Sequence, residues 1–303
     1  MHSIYNLFIN IIPFLTIGFF IGRNRPKLSE QISKKLIKFG IPLSVMGLLL
    51  KAGINIDLIK TSLLAFFSIA LLVFIINSIK ILKHSFSNFS LQLGGLIGNT
   101  SFLGIPIAIA LLPTNTINFT IGFDLGTTLF AWVFGPIFLQ KNIQKFKTFN
   151  HGVLINSVLS SPASRGIIGA LIAYLFRIDS ILGNVLWIPA RIVIIIAIVI
   201  VGTRLGIITK DNQEGKVFKN ELKISILLKL IIFPIFILAL CKLLQFNDLQ
   251  TQATVLQAAT PSAISTILMA EAYKTNQELA ASILFRSTVF SIISIPIWVL
   301  LIR

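Results

Sequence analysis

A chain of 303 residues that is 55% hydrophobic and only 12% charged has too little polar surface to coat a water-soluble fold of its size. Its formal net charge of +16 does not point to nucleic acid: the basic residues cluster in short connections beside apolar runs, with no aromatic-interleaved basic groove. A single cysteine, Cys241, excludes an intrachain disulfide and a cysteine metal cluster. The composition is that of an all-α integral membrane protein.

Taken in order, apolar runs at about 4–22, 36–54, 61–82, 92–112, 117–139, 153–176, 182–206, 222–244, 251–272 and 278–301 predict ten transmembrane helices by the twenty-residue criterion. The first starts at once, with no basic stretch before it and no small-residue cleavage site after it, so it is expected to stay as the first span. The fourth carries Gly98-Asn99-Thr100-Ser101-Phe102-Leu103-Gly104-Ile105-Pro106 at its middle, where a spanning helix should be plainest. The fifth holds Asp124 about seven residues from its start, near 10 Å deep at the helical rise. Gln140 to His151 is the most polar connection, and it divides the chain into residues 1–139, a linker at 140–152 and residues 153–303. Pro162 and Arg165 interrupt the sixth run, whose firm part begins near Gly166. Arg191 in the seventh and Lys229 in the eighth are assigned to snorkelling toward their nearer ends. The ninth is broken at Ala259-Thr260-Pro261-Ser262-Ala263, and the tenth holds Arg286.

Eighteen lysines and arginines fall in the odd-numbered connections against five on the other side. The positive-inside rule then places the odd connections in the cytoplasm and both termini outside. Each half contains five spans, an odd number, so a duplicated unit must insert its second copy upside down, giving two inverted five-helix repeats with broken, crossing helices 4 and 9.

Freed backbone groups at membrane depth are tolerated only where they face protein or a watery cavity, so paired breaks mark a binding site. Helix starts meeting near the midplane aim positive dipole ends at one point and favour an anion. Candidate substrate-binding residues are Asn99, Thr100, Ser101, Gly104 and Pro106 in helix 4, with Thr260, Pro261 and Ser262 in helix 9. Asn99 offers amide donors to a carboxylate, while the hydroxyls either touch ligand or bond back to their own helix. Asp124 is read three ways: cation binding, proton exchange, or pairing with a basic residue. Arg286 either holds a carboxylate or neutralises Glu271 or Asp124, and Glu271 either lines the cytoplasmic exit or is a surface carboxylate.

No zinc-binding His-Glu-x-x-His, no Gly-x-Ser-x-Gly elbow and no phosphate-cradling loop occurs, and His2, His84 and His151 fall at span ends or loops. The expectation is a secondary transporter of a small organic anion, without cofactor or metal, rather than a membrane enzyme or a receptor. A sodium-coupled symporter of the bile-acid carrier type is the alternative. Small-residue pairs at Gly18 and Gly22, Gly94 and Gly98, Gly122 and Gly126, and Gly202 and Gly206 predict close helix packing.

The helix 4 motif from Gly98 to Pro106 resembles the glycine, asparagine and proline motif of the auxin efflux carrier family. Gln257-Ala258-Ala259-Thr260-Pro261, Met269-Ala270-Glu271-Ala272-Tyr273 and Glu278-Leu279-Ala280-Ala281-Ser282 are similar to that family's helix 9, its acidic-aromatic exit and the start of helix 10. Without the long central loop of the plant carriers, the chain looks like the compact prokaryotic permeases for malate or malonate. The resemblance implies a homodimer in the prokaryotic inner (plasma) membrane. It also implies that helices 1, 2, 6 and 7 form a scaffold, against which helices 3–5 and 8–10 carry an organic anion as an elevator.

Overall fold

A computed structural model of the protein describes residues 2–86, 88–141, 162–210, 220–272 and 276–302. Among them the regular elements are helices: α1 (His2–Asn24), α2 (Pro26–Lys35), α3 (Ile41–Ala52), α4 (Ile56–Ser78), α5 (Lys80–Ser85), α6 (Phe89–Leu96), α7 (Ile105–Leu111) and α8 (Ile117–Lys141) in the first half. The second half contains α9 (Pro162–Leu175), α10 (Asp179–Lys210), α11 (Asn220–Leu227), α12 (Phe233–Leu243), α13 (Asp248–Ala258), α14 (Ser265–Ala272) and α15 (Gln277–Leu301). Most of the polar linker and the start of the sixth expected span, through residue 161, lie outside the described residues.

Helix starts follow from local chemistry. Asn55 accepts from the amides of Asp57 and Leu58 at the head of α4. Asn247 and Gln250 form a reciprocal capping box on α13, and Asn276 caps α15. Prolines shape the interiors. Leu36–Gly40, Thr100–Gly104 and Leu228–Ile232 are π-turns, each followed directly by a residue and then a proline, Pro42, Pro106 or Pro234. Because a proline ring clashes with the carbonyl four residues back and supplies no N–H, the preceding turn widens to bonds five residues long. Leu230 O, the carbonyl freed by Pro234, receives the Trp298 indole N–H at 2.8 Å.

Among the described residues four helices are long and apolar enough to cross a membrane: Ile56–Ser78, Asp179–Lys210, Asn220–Leu243, which joins α11 to α12, and Gln277–Leu301. Thr100–Leu111 is among the shorter apolar helices. On α4 the inward face of Ala65, Ile69, Leu72 and Ile76 is buried, and the outward face of Leu63, Phe67, Leu71 and Phe74 is just as apolar. A helix hydrophobic on both faces has lipid as its outer solvent.

α1 lies along α10, α3 packs on α9 and α10, α4 lies along α8, and α12 packs on α13. The small-residue pairs explain two of these contacts. Gly18 and Gly22 press on the backbone of Val199 and Thr203, while Gly202 and Gly206 press on that of Leu15 and Phe19, leaving no room for a Cβ at any of the four. Gly122 and Gly126 meet the carbonyls of Leu58 and Ser62 in the same way. Gly202→Leu should therefore push α1 off α10 and cost about 1–3 kcal/mol, the usual range for overpacking. Its thermal midpoint in detergent is expected to fall by several degrees, and an unchanged midpoint would mean that the backbones need not touch.

Candidate functional site

Residues 97–99 separate α6 from the π-turn at Thr100–Gly104, and residues 259–264 separate α13 from α14. The two gaps pair with each other. Asn99 N donates to Pro261 O at 2.7 Å, and Ala263 N donates to Ile97 O at 3.0 Å, forming a single antiparallel bridge between Gly98 and Ser262. Each break thus supplies partners for backbone groups freed by the other, as burial requires. Gly98 has to be glycine here, because a Cβ would strike Thr260 Oγ1 and come against Lys229 Nζ.

Of the candidate residues, Asn99 accepts from the amides of Leu103 and Gly104 through its carbonyl, yet its side-chain Nδ2 is buried without a partner. Gly104 lies against the side chain of Gln257, and Pro106 is buried at the start of α7. Thr260 Oγ1 bonds back to Gln257 O at 2.7 Å, covering the carbonyl that Pro261 cannot serve. Ser262 is tied on both sides, its hydroxyl donating to Gly94 O at 2.6 Å and its amide to Ser287 Oγ at 3.0 Å.

Asp124, fully buried on α8, faces the first break. Its Oδ1 accepts from Thr100 Oγ1 at 2.5 Å and Ser101 Oγ at 2.6 Å, while Oδ2 has no partner. Among the described residues no hydrogen bond joins it to a basic side chain. Arg286 is half-buried on α15. Glu271 belongs to α14, but its side chain lies outside the described residues.

Two residues of the crossing were not read as site residues from the sequence. Lys229 does not snorkel: it is fully buried at the tenth position of Asn220–Leu243, with Nζ donating to Ala258 O at 2.6 Å and lying 4.8 Å from the Phe233 ring centre. The helical donor for Ala258 O would be Ser262 N, which the break diverts to Ser287, so the lysine takes its place. Arg191 by contrast is exposed, with its guanidinium 5.7 Å from the Trp187 ring centre. Gln257 is fully buried, with neither its Oε1 nor its Nε2 partnered.

The charges match the half-helix ends. Asp124 sits at the positive start of Thr100–Leu111, and Lys229 at the negative end of α13. Among the described residues no group of three or more His, Cys, Asp or Glu side chains is placed to hold a metal ion.

Apolar helices crossing at paired backbone breaks are the architecture of a multi-pass membrane transporter. Residues 166–299 match the family model described as membrane transport protein. An uncharacterized transporter of Methanocaldococcus jannaschii is 25% identical over 226 residues, 71% of this chain and 70% of the relative. One from Methanothermobacter thermautotrophicus is 23% identical over 202 residues, 66% of this chain and 63% of that relative, so the match leaves more than a third of the second relative uncovered. Over residues 166–299 the chain is therefore similar to the membrane transport protein family, and this match together with the transporter-named relatives points to a transporter rather than an enzyme.

Proposed function

We propose that the protein is a secondary transporter that moves a small organic anion, a carboxylate, across the plasma (inner) membrane, binding it where the two broken helices cross. The observation that carries this reading is a pair of unpartnered amide donors near the Gly98–Ser262 bridge, Asn99 Nδ2 and Gln257 Nε2, together with the buried ammonium of Lys229, which spends one hydrogen bond on Ala258 O. Unsatisfied buried donors are costly, and a carboxylate satisfies several of them at once.

The movement proposed is an elevator. α1, α3, α9 and α10 pack on one another and act as the static scaffold and dimer interface, while α4–α8 and α11–α15 carry the crossing as a unit. Two inverted repeats, with both termini outside the cytoplasm, make the two faces of that unit equivalent.

The test is flux in liposomes reconstituted with the purified protein and offered labelled mono- and dicarboxylates. Hydrogen bonds to a charged group contribute about 1.5–3 kcal/mol, so Asn99→Ala and Gln257→Ala should each lower saturable flux by about tenfold or more. Unaltered flux in both variants would put the site elsewhere.

A further inference from the structure

We propose that Asp124 is a proton-binding site that couples anion movement to the proton gradient, the proton being carried on Oδ2. The proposal rests on the anion reading above. Both short hydrogen bonds to the carboxyl group fall on Oδ1, from Thr100 and Ser101, and leave Oδ2 buried with no partner. The hydroxyl donors support the negative charge at Oδ1, and the open Oδ2 is one defined atom at which a proton can be accepted. The two hydroxyls belong to the first residues after the helix 4 break, so a change in their bonds to Asp124 reaches Asn99 and the Gly98 bridge through adjacent backbone.

Charge balance supplies the coupling. Among the described residues the fully buried charged groups are Asp124 and Lys229, one negative and one positive when Asp124 is ionised. A carboxylate added to that pair leaves a net negative charge out of water, which is expensive. Transfer of one proton to Oδ2 converts Asp124 to the neutral acid, and Lys229 then offsets the incoming anion. One proton therefore accompanies each monocarboxylate.

Other charged groups on elements packed against α8 stand apart. Lys51 on α3, Lys60 on α4, Arg165 on α9 and Asp248 on α13 are exposed. Asp57 on α4 is near Lys60 and receives a hydrogen bond from Gln250. The Glu271 side chain on α14 is outside the described residues.

Two measurements on the full-length protein in liposomes test this. Infrared difference spectra of substrate-free protein, titrated from acid to alkaline pH, should show a protonated-carboxyl stretch that is lost at high pH. The band should move in Asp124→Glu and be missing in Asp124→Asn. Labelled lactate, with protein-free liposomes subtracted, should accumulate about tenfold per unit of imposed pH gradient, as one-to-one proton symport requires. That stimulation should vanish in Asp124→Asn. A band absent from wild type or retained in Asp124→Asn, pH-gradient stimulation surviving in that variant, or accumulation driven by sodium instead of protons would overturn the proposal. Absence of carboxylate flux from the wild type would count against the anion reading, while the infrared titration still decides whether Asp124 carries a proton.

Discussion

Replacing Lys229 with methionine is expected to lower saturable carboxylate flux by roughly two to three orders of magnitude, while the protein still purifies as a folded species. The flux loss reflects removal of the buried counter-charge, for which breaking a buried charge interaction typically costs about 3–5 kcal/mol. The folding cost is smaller. Ala258 O loses its donor, a penalty of about 1–3 kcal/mol, but a desolvated ammonium is removed at the same time. Lys229→Gln separates the two roles, because an amide can still donate to Ala258 O but carries no charge. If the glutamine variant transports like the wild type, the lysine is a helix cap only. If both variants fail in flux with thermal midpoints near the parent, the charge is what the anion needs.

A second large effect is expected at Gly98. Even alanine there places a methyl group against Thr260 Oγ1 and Lys229 Nζ, and both neighbours are fully buried and fixed by hydrogen bonds. The bridge to Ser262 must open, taking with it the bonds from Asn99 N to Pro261 O and from Ala263 N to Ile97 O. Overpacking at this point is expected to cost about 3 kcal/mol, the upper part of the usual range, and to abolish flux. Gly169→Ala is the contrasting case, since the three nearest atoms belong to the flexible Met46 side chain. Size-exclusion profiles and thermal midpoints of the two variants should differ clearly. Equal behaviour would mean that the crossing has slack.

What could be read from the sequence was the interruption itself. Gly98, Pro106 and Pro261 disturb a helix through their own backbone chemistry, so their effect is local and needs no knowledge of neighbours. That the two interruptions face each other followed from counting spans, and the Gly98–Ser262 bridge brings them together. Asp124 stood out as an acid inside an apolar run, but its partners Thr100 and Ser101 lie on a different helix, which periodicity cannot reveal. Lys229 was misassigned for a related reason. A lysine in a spanning helix reaches water if it faces lipid near an end and is trapped if it faces the bundle, and only packing against α13 settles which. The hydroxyls of Thr260 and Ser262 looked available to a ligand by residue type, yet each is bonded to a carbonyl freed or approached at the break. Gln257 was visible only as part of a motif, because nothing local distinguishes a buried, unsatisfied amide from one that faces lipid headgroups.

The central claim is that a carboxylate sits at the crossing beside Lys229, and solid-state NMR measures that contact most directly. Protein with 15N-labelled lysine side chains, in lipid and loaded with the 13C-carboxylate substrate identified by flux, should show strong dipolar dephasing between the substrate carboxyl carbon and one lysine nitrogen. The signal is expected to disappear in Lys229→Met. Saturable binding with no lysine contact, or a contact that persists in Lys229→Met, would contradict the account.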